Sequence, residues 1–316
     1  MDVNITDGQG NSALILACRH YKVYAREECS EIIKLLVAKG ANFYFIAEFP
    51  SAIRGYPLGT ALFEACINSR LDVVTLLLEL GAATNDMHPL ITSCVLRNVN
   101  VVRLFISHDA DLNARNHNGF TCLGVACQCG FDDVVELLLD HGADISLGIG
   151  AVNHFPFTVA CMNSRLSTAK LLLDRGADVN GDRGTLVLTC DYAKIGVVRL
   201  LLEHGADVNG TLRNPLMSAV HRKDRGMIDL LLEYGADINA EDGGLCALSM
   251  AARNNRREII IFLIERGADL YKADGVTPIT HTTSGLFTTD PEIVALVDQY
   301  REINKRANRA FKPLLK

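Results

Sequence analysis

The sequence predicts an all-α solenoid of about nine helix-turn-helix repeats, joined by finger loops of irregular length. Two observations carry this prediction. A string close to Leu-Leu-Leu-x-x-Gly-Ala-Asp recurs along the chain, and a second apolar block precedes each copy at a nearly constant distance. Self-similarity at a fixed period of roughly 20–50 residues is typical of folds that stack one small unit on the next.

The Gly-Ala pair marks the end of the longer helix of each repeat. Before Gly205, Val198, Leu201 and Leu202 lie at i, i+3 and i+4, which is one face of a helix. Glycine after the last turn supplies the left-handed residue with which helices commonly end. The pairs are Gly40-Ala41, Gly81-Ala82, Gly142-Ala143, Gly176-Ala177, Gly205-Ala206, Gly235-Ala236 and Gly267-Ala268, and Asp109-Ala110 takes the same place once.

A shorter helix precedes the longer one. Its face ends in a small residue that lets neighbouring helices approach closely, as in Leu123, Ala126 and Cys127. From this small-residue slot to the longer helix the distance is seven residues in seven repeats: Cys66–Val73, Cys94–Val101, Cys127–Val134, Cys161–Thr168, Cys190–Val197, Val220–Met227 and Ala252–Ile259. A ninth, looser unit is predicted at Thr277-Pro278-Ile279, with Ile293-Val294 behind it.

These features together resemble the ankyrin repeat. Asn214-Pro215-Leu216 and Thr277-Pro278 match the start of its short helix, where Pro pre-sets the first turn, and Asp207-Val208-Asn209 matches the segment after Gly-Ala. The family's usual His two residues after that Pro is absent, so the hydrogen bonds that it supports must be made differently. The slot instead holds Ile15, Phe63, Ile91, Gly124, Thr158, Val187, Met217, Ser249 and Thr280.

The resemblance covers essentially the whole chain and implies one repeat domain over residues 1–300. Its repeats fall at about 2–41, 42–82, 83–110, 111–143, 144–177, 178–206, 207–236, 237–268 and 269–300, and a basic tail or cap follows at 301–316. The finger loops are uneven, since Ala110 to Leu123 is 13 residues whereas Ala82 to Leu90 is 8. An aromatic segment at 42–59 is interpreted as a packed flap, with a docking element as the alternative.

Composition and motifs narrow the function. A net charge of −6 and a pI of about 5.8 argue against a nucleic-acid partner, which needs a basic face. We expect no membrane span and a cytoplasmic or nuclear location, since neither a signal peptide nor an apolar run of about 18 residues is present. The common catalytic motifs are missing, which favours a non-enzyme without a cofactor. We also expect the chain to be a monomer.

Six cysteines occupy the small-residue slot of successive repeats: Cys18, Cys66, Cys94, Cys127, Cys161 and Cys190. A metal or redox ladder is one interpretation. The other, which we prefer, is that Cys replaces the family's small Ala as a small hydrophobic residue. Repeats stack about 10 Å apart, which is beyond the reach of zinc or disulfide geometry, so no metal site is predicted.

The resemblance implies that the two residues after the small slot face the concave groove, where partners bind. The charged and aromatic pairs of the later repeats, with two finger residues, are the predicted partner-binding set: Asp182, Arg183, Asp191, Tyr192, His221, Arg222, Arg253 and Asn254. An ordinary solvated face is the alternative.

The predicted function is a protein-interaction scaffold or inhibitor that binds another protein through the concave face and finger loops. One alternative is an unusual enzyme with a pocket near Asp191, Tyr192 and His221. A second alternative is a regulatory fragment of a larger multidomain protein, because Asp2-Val3-Asn4 starts the chain in mid-motif.

Overall fold

The structure is a computed structural model, and the fold described here rests on part of the chain. The described residues are 2–8, 10–19, 26–44, 60–84, 87–116, 118–150, 154–182, 184–210, 214–242, 245–269, 281–282, 285–286, 291–292, 295, 298–300 and 302–303. Most of the aromatic segment at 42–59, the core of the predicted ninth unit and nearly all of the basic tail lie outside them.

The predicted all-α repeat architecture is confirmed, because sixteen helices within residues 13–265 of the described chain come in eight consecutive pairs. The first helices of the pairs are α1 (Ala13–Arg19), α3 (Ala61–Ile67), α5 (Met87–Val95), α7 (Cys122–Cys129), α9 (Pro156–Met162), α11 (Thr185–Tyr192), α13 (Pro215–Arg222) and α15 (Ala247–Arg253). The second helices are α2 (Arg26–Ala38), α4 (Leu71–Glu79), α6 (Val99–Ser107), α8 (Asp132–Asp140), α10 (Leu166–Asp174), α12 (Ile195–Glu203), α14 (Arg225–Glu233) and α16 (Arg257–Glu265).

A short antiparallel pair of strands follows the last helix pair. The strands are β1 (His281–Thr282) and β2 (Gly285–Leu286), and Thr282 pairs with Gly285. The helical periodicity of the sequence did not predict them.

The chain divides into two compact units, residues 1–160 with 167–177 and residues 161–166 with 178–316. In the first unit α1, α3, α5 and α7 pack side by side in chain order, and α4, α6 and α8 do the same behind them. In the second unit α11, α13 and α15 form one such row, and α12 packs on α14. Like elements therefore pack on like elements within each unit, which is how a repeat buries a face that it cannot bury alone.

Other side chains cap the first turn of the short helices, where the family's usual His is absent. The Thr60 and Thr121 hydroxyls accept hydrogen bonds from the backbone N–H groups of Phe63 and Gly124, at 3.2 and 3.1 Å. In α15, Cys246 and Ser249 form a reciprocal capping box. Each cap satisfies an N–H that the first turn of a helix leaves without an intrahelical acceptor.

Gly124 stands where the usual His would be, and Ile149 fills the space beside it. A Cβ at Gly124 would lie 2.4 Å from Ile149 Cδ1 and 2.6 Å from Cγ2. Ile149 is 2% exposed, and its N–H donates to the carbonyl of His154 at 2.7 Å. The glycine is therefore required by the close approach of the finger loop to α7.

The Asp-x-Asn segment after Gly176-Ala177, Gly205-Ala206 and Gly235-Ala236 contributes to a ladder between finger loops. Asn209 Nδ2 donates to the Gly235 carbonyl at 3.3 Å, and Asn209 Oδ1 accepts the Asp237 N–H at 2.8 Å. Asn180 makes the same two bonds to Gly205 and Asp207. The recurring Asn thus ties the end of each long helix to the preceding finger, a contact between repeats that the motif encodes.

Candidate functional site

A cavity of about 450 Å³ opens on the first-helix face of the second unit. It lies at the C-terminal ends of α11 and α13, beside α15. Its lining is formed by Asp191, Tyr192, Asn214, Met217, Ser218, His221, Arg222, Asp242 and Met250. Four of the eight predicted partner-binding residues, Asp191, Tyr192, His221 and Arg222, are thereby brought together by the structure.

One face of α13 builds the floor of the cavity. Asn214 is the N-cap of α13, and its side chain accepts a hydrogen bond from the Leu216 N–H at 2.9 Å. Met217 and His221 follow one and two turns later on the same face, as the helical period requires. Met217 is 6% exposed, so its side chain forms a firmly packed apolar part of a floor that also holds Asn214 and His221.

Tyr192 stands at the mouth of the cavity. It is the last residue of α11, and at 67% it has the largest relative exposure among the large hydrophobic residues that the structure describes. A phenol ring that is left this exposed offers both an apolar face and a hydroxyl to a partner, which is the combination found in interface hot spots.

Arg222 has a structural role in addition to lining the cavity. Its Nη1 donates to the carbonyls of Cys190 and Ala193, at 2.7 and 3.0 Å. These carbonyls lie at the end of α11, where backbone acceptors lose their intrahelical donors. Arg222 therefore joins the ends of α11 and α13 and holds Tyr192 in place beside the cavity.

Two carboxylates, Asp191 and Asp242, lie in the lining with Arg222 and His221. Beneath them, burial raises the pKa of the Cys190 thiol to about 12, an effect that the Asp191 carboxylate reinforces and the Arg222 guanidinium opposes. Cys190 is thus a neutral thiol at physiological pH. It is fully buried and adds packing without charge beside Asp191.

The other four predicted residues do not line this cavity, or lie outside the described residues. Asp182 lines a separate small cavity of about 90 Å³ between two fingers, with Asn180 and Asp207. Arg253 and Asn254 are exposed but do not line the larger cavity, and Asn254 Nδ2 donates back to the Met250 carbonyl at 3.0 Å. Arg183 lies outside the described residues.

Sequence reasoning missed five lining residues: Asn214, Met217, Ser218, Asp242 and Met250. The predicted set contained only residues that directly follow the small slot, together with two finger residues, Asp182 and Arg183. The helical spacing from Asn214 through Met217 to His221 was a usable signal for the floor. Asp242 lies in a finger loop, and no local pattern connects its position with α13.

The six cysteines of the small-residue slot lie in the first helices of their repeats. All six are buried, and desolvation raises the pKa of Cys161 to about 12. The pKa of Cys94 is raised first by a hydrogen bond with Cys122 and then by burial. Within the part of the chain that the structure describes, no group of three or more His, Cys, Asp or Glu side chains is placed to hold a metal ion.

Among the described helices, none combines the length and the apolar character that crossing a bilayer requires.

Comparison with known proteins agrees with the repeat architecture of the helix pairs. A family model described as ankyrin repeats (3 copies) matches residues 1–88, 62–149, 157–242 and 186–274. Over 122 residues the chain is 31% identical to the ankyrin repeat and KH domain-containing protein mask-1 of Caenorhabditis elegans, a match that covers 36% of this chain and 4% of that protein.

Two further relatives match over 147 residues at 29% identity, which is 45% of this chain. They are the potassium channel AKT2/3 of Arabidopsis thaliana, of which 16% is covered, and the B-cell lymphoma 3 protein homolog of Mus musculus, of which 30% is covered. The chain therefore spans less than a third of each of these three relatives.

Proposed function

Because this chain belongs to the ankyrin-repeat family, whose repeats generally mediate protein–protein interaction, we propose that it is a scaffold or inhibitor that binds a partner protein at the cavity face of its second unit. The observation that supports this choice is the coincidence of a cavity of about 450 Å³ with the exposed Tyr192. The volume is within the range of sites that enclose a ligand group, roughly 300–1,000 Å³.

The lining suits a side chain of a partner protein. Met217 and Met250 supply adaptable apolar contacts, which re-pack readily around an inserted group. Asp191, Asp242 and His221 supply polar atoms around them. An apolar floor with a few polar groups at its edge is the usual composition of a recognition pocket. Tyr192 would cover the inserted side chain and exclude water from it.

A photo-reactive amino acid at position 192 tests this proposal. Replacing Tyr192 by p-benzoyl-phenylalanine should give a covalent adduct with the partner after illumination of a cell lysate, and mass spectrometry then identifies the partner. The matched control is Tyr234, a second partly exposed tyrosine, which caps the end of α14 and does not line the cavity.

The proposal requires adducts that form from position 192 and not from position 234. The identified partner should then bind the purified chain, and Tyr192→Ala should weaken that binding by on the order of tenfold or more. Equal adducts from both positions would contradict the choice of face. Arg222 is unsuitable as a test position, because its bonds to Cys190 and Ala193 hold the end of α11.

Catalysis at the same cavity is the second candidate, and one observation favours it. Asp191, Tyr192 and His221 all line the same open cavity, so they could serve as acid, base and hydrogen-bond donor to a small molecule. The test is to incubate the chain with a metabolite extract and follow it by NMR. Consumption of a compound by the wild type but not by His221→Ala would favour an enzyme, and no consumption would favour the binding module.

A further inference from the structure

The turns between the two helices of each repeat form one rim of the second unit, and this rim carries cations without carboxylate partners. Lys194, Lys223 and Arg256 each lie in one of three successive turns. Within the described residues, no ion pair joins any of the three to an acid. Together these residues are called the basic rim here.

Neighbouring turns of this rim are in direct contact. The Lys194 N–H donates to Ser164 Oγ at 3.1 Å, and Arg222, next to Lys223, donates to the Ala193 carbonyl at 3.0 Å. Arg225 Nη2 lies 3.2 Å from Glu258 Oε2, which links the last two turns. The three cations therefore follow one another along a continuous edge, spaced by about 10 Å per repeat.

The first unit neutralises the equivalent positions. Arg70 pairs with Asp72 at 3.1 Å, and Arg97 pairs with Asp133 at 3.1 Å. Asp72 and Asp133 lie in the first turns of α4 and α8. In the second unit, α12 and α14 have no acidic residue in the first turn, and Glu258 in the first turn of α16 pairs with Arg225. The unpaired cations are thus a property of one unit and not of the repeat itself.

Two of the cations stand at unfavourable positions. Lys194 and Arg256 are the N-cap residues of α12 and α16, and neither side chain accepts a capping hydrogen bond. The N-terminus of a helix carries a partial positive charge and favours Asp, Asn, Ser or Thr at this position. A cation there opposes the local electrostatics, and a residue that breaks a local rule without structural gain indicates a function.

We propose that the basic rim binds an extended acidic segment of a partner protein, with one carboxylate for each turn. A segment in the polyproline II conformation has three residues per turn and advances about 3.1 Å per residue, so acids at every third position lie on one face and match a spacing of about 10 Å. The rim adjoins the cavity at Tyr192, but none of the three cations lines that cavity, and the proposal does not depend on the function proposed there.

A protein segment fits the rim better than a nucleic acid does. The finger side of the same unit carries Asp178, Asp207, Asp237 and Asp269, and the whole chain has a net charge of −6. A long polyanion would meet these carboxylates as well as the rim, whereas a short acidic segment is confined to the rim. Single-stranded bases stack on a series of aromatic rings, whereas Tyr192 lies near Lys194 but no Tyr, Phe or Trp lies within two residues of Lys223 or Arg256 in the sequence.

The test is an NMR titration of the full chain, labelled with ¹⁵N, with a synthetic peptide. The peptide has glutamate at every third position among serine and glycine, and its control has glutamine in place of glutamate. We expect saturable shifts at the amides of Lys194, Lys223 and Arg256 with the glutamate peptide alone, weakened by added salt.

Two pairs of substitutions make the result specific. Lys194→Asp with Arg256→Asp should lower the peptide affinity by on the order of tenfold, because two attractions become repulsions. The same pair should raise the thermal midpoint by about 2–4 °C per substitution, since each gives its helix a capping acid. Lys170→Asp with Arg199→Asp changes the net charge equally, on exposed positions of α10 and α12, and should leave the affinity unchanged.

The opposite movement of affinity and stability separates loss of binding from loss of folding. Shifts that are absent, spread over the whole chain or equal for both peptides would overturn the proposal. So would an unchanged affinity in the Lys194→Asp, Arg256→Asp variant. A single-stranded RNA of matched charge that binds the rim more tightly than the peptide would assign the surface to nucleic acid and refute the acidic protein segment.

Discussion

The contact between Gly124 and Ile149 allows a sharp prediction about stability. In Gly124→Ala, the new methyl group would stand 2.4 Å from Ile149 Cδ1 and 2.6 Å from Cγ2, well inside van der Waals contact. Ile149 cannot easily move away, because it is 2% exposed and its N–H is bonded to the His154 carbonyl. The next residue is also held, since the Gly150 N–H donates to the Gly119 carbonyl at 3.0 Å.

The magnitude follows from the cost of adding a methylene to a packed core. Such overpacking costs about 1–3 kcal/mol, and contacts as short as 2.4 Å place this site in the upper part of that range. After the intrinsic helix preference for Ala over Gly of about 1 kcal/mol is subtracted, the net destabilisation is about 1–2 kcal/mol, or about 2–8 °C in the thermal midpoint of a unit of this size. The sign is therefore opposite to that of an ordinary Gly→Ala substitution in an exposed helix.

A double-mutant cycle isolates the contact. Ile149→Ala alone should cost about 2–5 kcal/mol, because it leaves a cavity beside α7. In the double variant the new methyl group enters that cavity, so the sum of the single costs should exceed the double cost by about 1–3 kcal/mol. Urea unfolding followed by circular dichroism measures all four chains. Additive costs, or a stabilised Gly124→Ala, would refute the steric argument.

Two further predictions concern the ladder and the thiols. Asn209→Ala should lower the free energy of unfolding by about 1–2 kcal/mol, because it removes the bonds to two groups of the next repeat. The control Asn254→Ala, whose amide donates within its own helix, should change that free energy by less than about 0.5 kcal/mol. Urea unfolding compares the two variants, and equal costs would contradict the ladder. Burial raises the pKa of Cys161 and of Cys190 from 9.0 to about 12, so the stability that these thiols contribute is complete below about pH 9 and is lost as the pH rises towards 12. In reductant, a variant with Ala at both positions should show a shallower decline of stability over this window than the wild type, and parallel curves would argue against the shift.

The fold was predictable from the sequence because its signals are local. The face of Val198, Leu201 and Leu202 and the glycine that ends the helix recur in each repeat, and both act within a few turns of chain. The cavity was predictable in part for the same reason. The pairs Asp191-Tyr192 and His221-Arg222 directly follow the small slot in two successive repeats, so their common face could be inferred without coordinates.

Other contributions to the site depended on contacts between repeats. The bonds from Arg222 to Cys190 and Ala193 gave a predicted partner-binding residue a structural role that its position alone does not indicate. Asp242 reaches the cavity from a finger loop, and finger lengths vary from repeat to repeat. An irregular loop has no periodic signal, so the place of its side chains cannot be extrapolated from neighbouring repeats.

By itself, the sequence determined that helix pairs recur and where each helix ends, since periodic apolar residues and glycine stops are properties of short stretches of chain. Only the tertiary structure decided that Ile149 fills the space beside Gly124 and that Asp133 neutralises Arg97, while none of the described acids pairs with Lys194. The physical reason is that these outcomes depend on distances across repeats. Such distances are set by the packing of two helices and a loop of variable length, and residue types alone do not specify them.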